Sequence, residues 1–172
     1  TMPSIWIMWC GRGITDVNAF IIELDWVVHP TPKDVRIVSV AKITATGEKD
    51  TPECKLIMRT SLSTDKILTT DYNYLTFTYM IPKTNAKDSY TSRLYFYIGR
   101  TIEADKQYSI PVELKCDGEY HTEIIDFSKY RDIWPGSGDE TTCILKNIRF
   151  DCFEDAAAND KMYLNKNCKL LI

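Results

Sequence analysis

The 172-residue chain has no apolar run approaching the roughly 20 residues that a bilayer-crossing helix needs. Its apolar start, Trp6-Ile7-Met8-Trp9 within the first nine residues, is too short for a span. It also lacks the basic segment of a signal peptide. With Thr1 at its head, the chain reads as a piece cut from a longer polypeptide, so the missing signal says little about export. A basic excess is missing too. The net charge is -3, and no cluster of Lys and Arg stands out, which argues against a phosphate-tracking surface and hence against nucleic acid. Only two His are present and no Cys-x-x-Cys occurs, so a structural zinc centre is not expected. No Asn-x-Ser/Thr sequon appears, which disfavours a glycosylated eukaryotic ectodomain. Gly-x-Ser-x-Gly, His-Glu-x-x-His, the P-loop and Gly-x-Gly-x-x-Gly are all lacking. The expectation is therefore a protein that is not an enzyme. Paired carboxylates on distant strands keep a small glycan-active lyase or hydrolase as a minor alternative.

What is present is strand-forming. Ile21 to Val28, Val35 to Ala41, Cys54 to Thr60, Tyr74 to Ile81, Leu94 to Ile98, Ile110 to Cys116, Tyr120 to Phe127 and Leu145 to Phe150 are short, β-branched or aromatic runs. Gly, Pro, Asn, Asp or Ser bound them. Close spacing without a sustained 3.6-residue period predicts an all-β fold, a sandwich or barrel in one domain spanning residues 1–172. Asp155-Ala156-Ala157-Ala158-Asn159 reads as one helical turn or a loop. Period-two alternation sorts the faces. Leu75, Phe77 and Tyr79 share one side, as do Leu94, Phe96 and Ile98, and Ile148 with Phe150. The opposite sides receive Arg93, Tyr95 and Tyr97; Asn147, Arg149 and Asp151; and Glu113 with Lys115. The six cysteines (Cys10, Cys54, Cys116, Cys143, Cys152, Cys168) allow three disulfides or six reduced thiols. Reduced thiols are favoured, because a chain of this length builds a core without staples.

The segment from Cys54 to Phe150 carries a resemblance. Asp71-Tyr72-Asn73-Tyr74-Leu75-Thr76-Phe77-Thr78-Tyr79 and Tyr95-Phe96-Tyr97 precede a Gly turn at Asp117-Gly118-Glu119-Tyr120-His121. Ile125-Asp126-Phe127-Ser128, a loop with Trp134-Pro135-Gly136, and Ile148-Arg149-Phe150-Asp151 follow. This order resembles the carbohydrate-binding modules of the jelly-roll, galactose-binding-like superfamily attached to extracellular glycoside hydrolases. The resemblance implies a two-sheet antiparallel β-sandwich that binds polysaccharide or oligosaccharide. It further implies flanking domains in a parent protein and a secreted or cell-surface location.

Tyr95, Tyr97 and Arg149, with Asn147 and Glu113, form the predicted binding constellation. Sugar C–H faces stack on aromatic rings, and sugar hydroxyls need oriented donors and acceptors. Trp134, in its loop, is added as a candidate ligand contact, although it also suits packing under the following strand. Trp6 and Trp9 suit a sheet edge, a partner interface or a loop platform; Trp26 suits the core. Related modules hold structural calcium through oxygen ligands, and Asp151, beside Glu154, Asp155 and Asp160, is the candidate ligand. A solvated acidic turn is the competing reading. The alternative function is a protein-interaction β-sandwich without a sugar site, with the Trp6 to Trp9 start in the contact.

Overall fold

In the computed structural model the described residues are 4–10, 19–30, 35–48, 52–60, 66–99 and 108–172. Of these, 4–6, 8–10, 25–30, 35–39 and 58–60 are described by backbone alone, so the side chains of Trp6, Trp9, Cys10, Trp26 and His29 lie outside the described residues. The strands are β1 (Ser4–Cys10), β2 (Phe20–Pro30), β3 (Val35–Ala45), β4 (Lys55–Thr60), β5 (Tyr74–Met80), β6 (Ser89–Ile98), β7 (Ser109–Lys115), β8 (Tyr120–Asp126), β9 (Leu145–Asp151), β10 (Lys161–Asn165) and β11 (Asn167–Leu171). A helical turn, α1 (Glu140–Cys143), precedes β9.

Every ladder among the described residues is antiparallel. Hydrogen bonding runs in the order β2-β3-β10-β5-β11-β1-β4-β9-β6-β7, and β8 pairs β5. β10 and β11 lie end to end along β5, meeting it through Tyr163–Leu164 and then through Lys169–Leu171. β1 belongs to both layers: Ser4–Met8 pairs with β11, and Ile7–Cys10 pairs with β4. The chain is thus a two-layer antiparallel β-sandwich. One layer is centred on β5, and the other runs β4-β9-β6-β7.

The inner faces are the alternating rows read from the sequence. Leu75, Phe77 and Tyr79 of β5, Leu94, Phe96 and Ile98 of β6, and Ile148 and Phe150 of β9 are all buried. Phe77 meets Phe150 across the layers with ring centroids 4.9 Å apart. Tyr79 brings its hydroxyl into the same interior, where it accepts from the Lys115 backbone N–H at 2.9 Å. Burial pushes the Tyr79 phenol up to about 12.

Two features exceeded the sequence reading. The first is β10 and β11, whose five-residue runs interleave Lys and Asn with apolar positions and so lack a continuous apolar signature. The second is a register shift between β6 and β9. Tyr97 faces Asn147, yet Ile98 faces Leu145, so Lys146 is the extra residue of a bulge. The bulge is why Leu145 and Ile148, three positions apart, both point inward, while Asn147 and Arg149 share the outward row.

The Asp155 to Asn159 segment is a loop. Asp155 and Asn159 adopt φ of 56° and 68°, the left-handed region that interrupts a helix. Asp160, 3% exposed, ties this loop down. Its carboxylate accepts from the Tyr90 hydroxyl, from Ala86 N–H at 2.8 Å and from Ala157 N–H at 2.9 Å. Asn85 adds a two-way clamp on Lys161, donating to its carbonyl at 2.8 Å and accepting from its N–H at 2.9 Å. Replacing Asp160 by Ala strands three donors in or near the core. Each such loss costs about 1–3 kcal/mol. Urea unfolding of Asp160→Ala is expected to show a loss of about 3 kcal/mol or more. A loss under about 1 kcal/mol would contradict the assigned role of this carboxylate.

Candidate functional site

The outward face of the β4-β9-β6-β7 layer is where sequence and structure converge. Antiparallel register places Arg149 opposite Tyr95 and Ile57, Asn147 opposite Tyr97, and Asp151 opposite Arg93 and Lys55. Alternation along β6 puts Arg93, Tyr95 and Tyr97 on one side, half-buried. Alternation along β9 puts Asn147 on the same side as Arg149.

Arg149 is held on three sides. Its Nε and Nη2 donate to the two carboxylate oxygens of Asp151 at 2.8 and 3.0 Å, the planar fork that guanidinium and carboxylate make best. Its Cζ lies 4.1 Å from the Tyr95 ring centroid, so the cation sits over the π face. Nη1 reaches the Tyr97 hydroxyl at 3.5 Å, which is long for a hydrogen bond. Asp151 is 2% exposed, and the Arg149 side chain is 20% exposed. Burial pushes the Asp151 carboxyl above its ordinary value, more than Arg149 and Lys55 pull it down. Burial also works against the Arg149 cation, but the bond to Asp151 and that carboxylate's charge raise it overall. Nearby, the Glu53 carboxylate at 2.7 Å raises Lys55 against its own burial. Burial and the charges of Asp151 and Glu53 raise Glu154. The enclosed Oδ1 of Asn147 has no donor among the described residues. Further along β6, a cleft of about 200 Å3 opens beside Arg93, Thr91 and Ser89, walled by Lys87, Glu154 and Asp155.

Tyr95, Tyr97, Asn147 and Arg149 are therefore brought together as predicted. Glu113 is not in that cluster. It lies on β7 opposite Thr91, four residues along β6 from Tyr95, or about 13 Å at strand rise. Trp134 presents no ring to solvent at 0% exposure. It stacks on Phe127 at 3.8 Å, meets Phe96 edge-on at 5.4 Å, and donates its indole N–H to the carbonyls of Thr69 and Tyr72. The loop position suggested access, but a large ring with two backbone acceptors below it goes inward. Asp151 does not fit a calcium ligand, because both its oxygens are engaged by Arg149. Asp160 likewise spends its carboxylate on Tyr90 and backbone N–H groups. Among the described residues no group of three His, Cys, Asp or Glu is arranged to hold a metal. Sequence reasoning placed Arg93 on this face without naming it as a site residue, and it missed Lys55. Their alternation with Tyr95 and with Leu56 was the available signal.

His121 sits in the other layer, its Nε2 2.8 Å from Asp117, and that contact draws the Asp117 carboxyl below its ordinary value. What the β4-β9-β6-β7 face offers chemically is oriented donors, phenol hydroxyls and ring surface.

The Arg149–Asp151 pair predicts unequal costs. Removing Arg149 leaves a carboxylate that has no route to water, whereas removing the Asp151 charge leaves a guanidinium that is partly solvated already. Arg149→Met is expected to cost about 3 kcal/mol near neutral pH, and Asp151→Asn about 1 kcal/mol or less. The Asp151 pKa is raised by folding, so the folded state keeps a proton that the unfolded chain has lost, and its ionisation weighs against folding as pH rises. The deficit of Arg149→Met is therefore expected to shrink as pH falls toward about 5. Urea unfolding at the two pH values checks both statements; equal costs for the two variants would refute them.

No protein-family model matches this sequence, and no curated protein matches it. Among solved structures, the chain is similar to the CBM27-1 module of Caldicellulosiruptor saccharolyticus in complex with mannohexaose. The TM-score is 0.52 at 9% identity, covering 99% of this chain and 98% of that one. It is also similar to the family 11 carbohydrate-binding module from Clostridium thermocellum in complex with a β-1,3-1,4-mixed-linked tetrasaccharide, with TM-score 0.48, 14% identity and coverage of 97% and 96%. At 9% identity the first likeness is one of fold. The chain has, over nearly its whole length, the jelly-roll β-sandwich fold of a carbohydrate-binding module.

Proposed function

We propose that this domain is a non-catalytic module that binds polysaccharide or oligosaccharide on the outward face of the β4-β9-β6-β7 layer. The observation that carries the reading is the fixed cluster of Arg149 over Tyr95, beside Tyr97 and Asn147, on an open sheet face. Sugars combine a C–H face, which packs on rings, with hydroxyls that demand oriented partners. Arg149 already covers one face of Tyr95, so ring packing is assigned to Tyr97 and hydroxyl recognition to Arg149 and the amide N–H of Asn147, whose Oδ1 is enclosed. Because Asp151 and Tyr95 hold the guanidinium in place, little rotamer entropy is lost on binding. Arg93 and the adjoining cleft extend the surface along β6, with Glu113 at its far end. The likeness in fold to a module whose structure contains mannohexaose supports this reading.

In this reading the domain is a single unit of a larger secreted or cell-surface protein and tethers an associated enzyme to its polymer. A second attachment on one substrate raises the effective concentration of the first without new contacts to the scissile bond.

Affinity electrophoresis against soluble mannans, xyloglucans and mixed-linkage glucans is expected to show retardation with at least one polymer. Tyr97→Ala is expected to weaken that interaction about tenfold or more with an unchanged unfolding midpoint. Free migration of the wild-type domain with every polymer would remove the function. Retained affinity in Tyr97→Ala would remove this face as its seat.

A further inference from the structure

Cys54 and Cys152 flank the β4–β9 strand pair, of which β9 carries Asn147 and Arg149 of the candidate site. Cys54 directly precedes β4, and Cys152 directly follows β9. The β4–β9 ladder pairs Lys55 with Asp151, so the next antiparallel step places Cys54 opposite Cys152. The backbone agrees, with Cys152 N–H donating to the Cys54 carbonyl at 3.1 Å. A hydrogen-bonded antiparallel pair has Cα atoms about 5.5 Å apart, inside the span that a disulfide bridges. The side chains turn toward each other, with Sγ 3.5 Å from Sγ, and both residues are 0% exposed. The other described thiols are placed differently: Cys116 is half-buried just past β7, Cys143 donates to the Ser137 carbonyl at 3.2 Å, and Cys168 is buried in β11, opposite Ile7 of β1.

We propose that Cys54 and Cys152 are a disulfide-forming pair that covalently joins β4 to β9 when the chain folds in an oxidising compartment. The reaction is thiol–disulfide exchange with a small-molecule or protein disulfide. One cysteine thiolate attacks the oxidant's disulfide to give a mixed disulfide and release one thiol. The second cysteine then displaces the remaining thiol, so two protein S–H bonds are lost and the oxidant gains two hydrogens. Closure precedes final packing. Once the core has formed, burial pushes the Cys152 thiol well up and withholds the thiolate that the exchange requires. The two cysteines are 98 residues apart in sequence, so the link restrains a long loop of the unfolded chain, the case in which chain-entropy stabilisation is greatest. It also lies next to Asp151, and so anchors the end of β9 that holds Arg149.

The test is to refold the wild-type domain in a glutathione redox buffer, block remaining thiols with iodoacetamide under denaturing conditions without reductant, and map the digest by mass spectrometry. A peptide containing Cys54 joined to one containing Cys152 is the expected result. Adding dithiothreitol is expected to lower the thermal midpoint by on the order of 10 °C in the wild type. It is expected to leave the Cys54→Ala/Cys152→Ala double variant unmoved. Carbamidomethyl groups on both Cys54 and Cys152, or either residue joined to a different cysteine, would overturn the proposal. The peptide map uses the wild-type chain alone, so it decides the matter even where the double variant fails to fold.

Discussion

The bidentate bond between Arg149 and Asp151 is the interaction on which the reading of this molecule depends. A guanidinium on an open sheet face ordinarily samples many rotamers, and each contact it makes to a ligand must first overcome that freedom. Here a carboxylate with 2% exposure grips two of its nitrogens, and the Tyr95 ring lies beneath its plane. The carboxylate cannot relax toward water, so the fork persists. An otherwise mobile cation is fixed in place beside Tyr97 and Asn147.

Fold and site are joined through β9. One row of this strand, Ile148 and Phe150, fills the interior against Phe77 and its neighbours; the other row, Asn147, Arg149 and Asp151, forms the candidate site. The extra residue at Lys146 sets which side chain enters which row. Without it, Leu145 could not turn inward while Asn147 faces Tyr97. The same strand ends at Cys152, whose thiol meets that of Cys54, so packing, site geometry and the proposed covalent link converge on seven residues and their immediate flank.

Much of this was legible in the sequence because period-two alternation is a direct consequence of the pleat. The rows Leu75-Phe77-Tyr79, Leu94-Phe96-Ile98 and Ile148-Phe150 went inward as read, and Tyr95, Tyr97 and Arg149 came out on one face. Strand adjacency was not legible. Nothing local says that β6 lies beside β9, which is what converts separate residues into a cluster and leaves Glu113 at the far end of its neighbour. Trp134 was ambiguous for a related reason. Its loop position is local information, whereas its destination depends on Phe127, Phe96 and two carbonyls that the fold delivers from elsewhere. Asp151 looked like one member of an acidic group; alternation already put Arg149 on its side, and the bidentate bond shows that this residue, two positions back on the same strand, is its partner.

The most direct test of whether Arg149 and its neighbours form the binding face is chemical-shift mapping with an oligosaccharide cut from whichever polymer retards the domain. The Arg149 Nε–Hε resonance and the backbone amides of Tyr95, Tyr97 and Asn147 are expected to shift progressively and saturably. Thr76, Thr78 and Thr122 on the opposite layer should stay in place. Shifts confined to that opposite layer would contradict the assignment of the glycan-binding face to Arg149 and its neighbours.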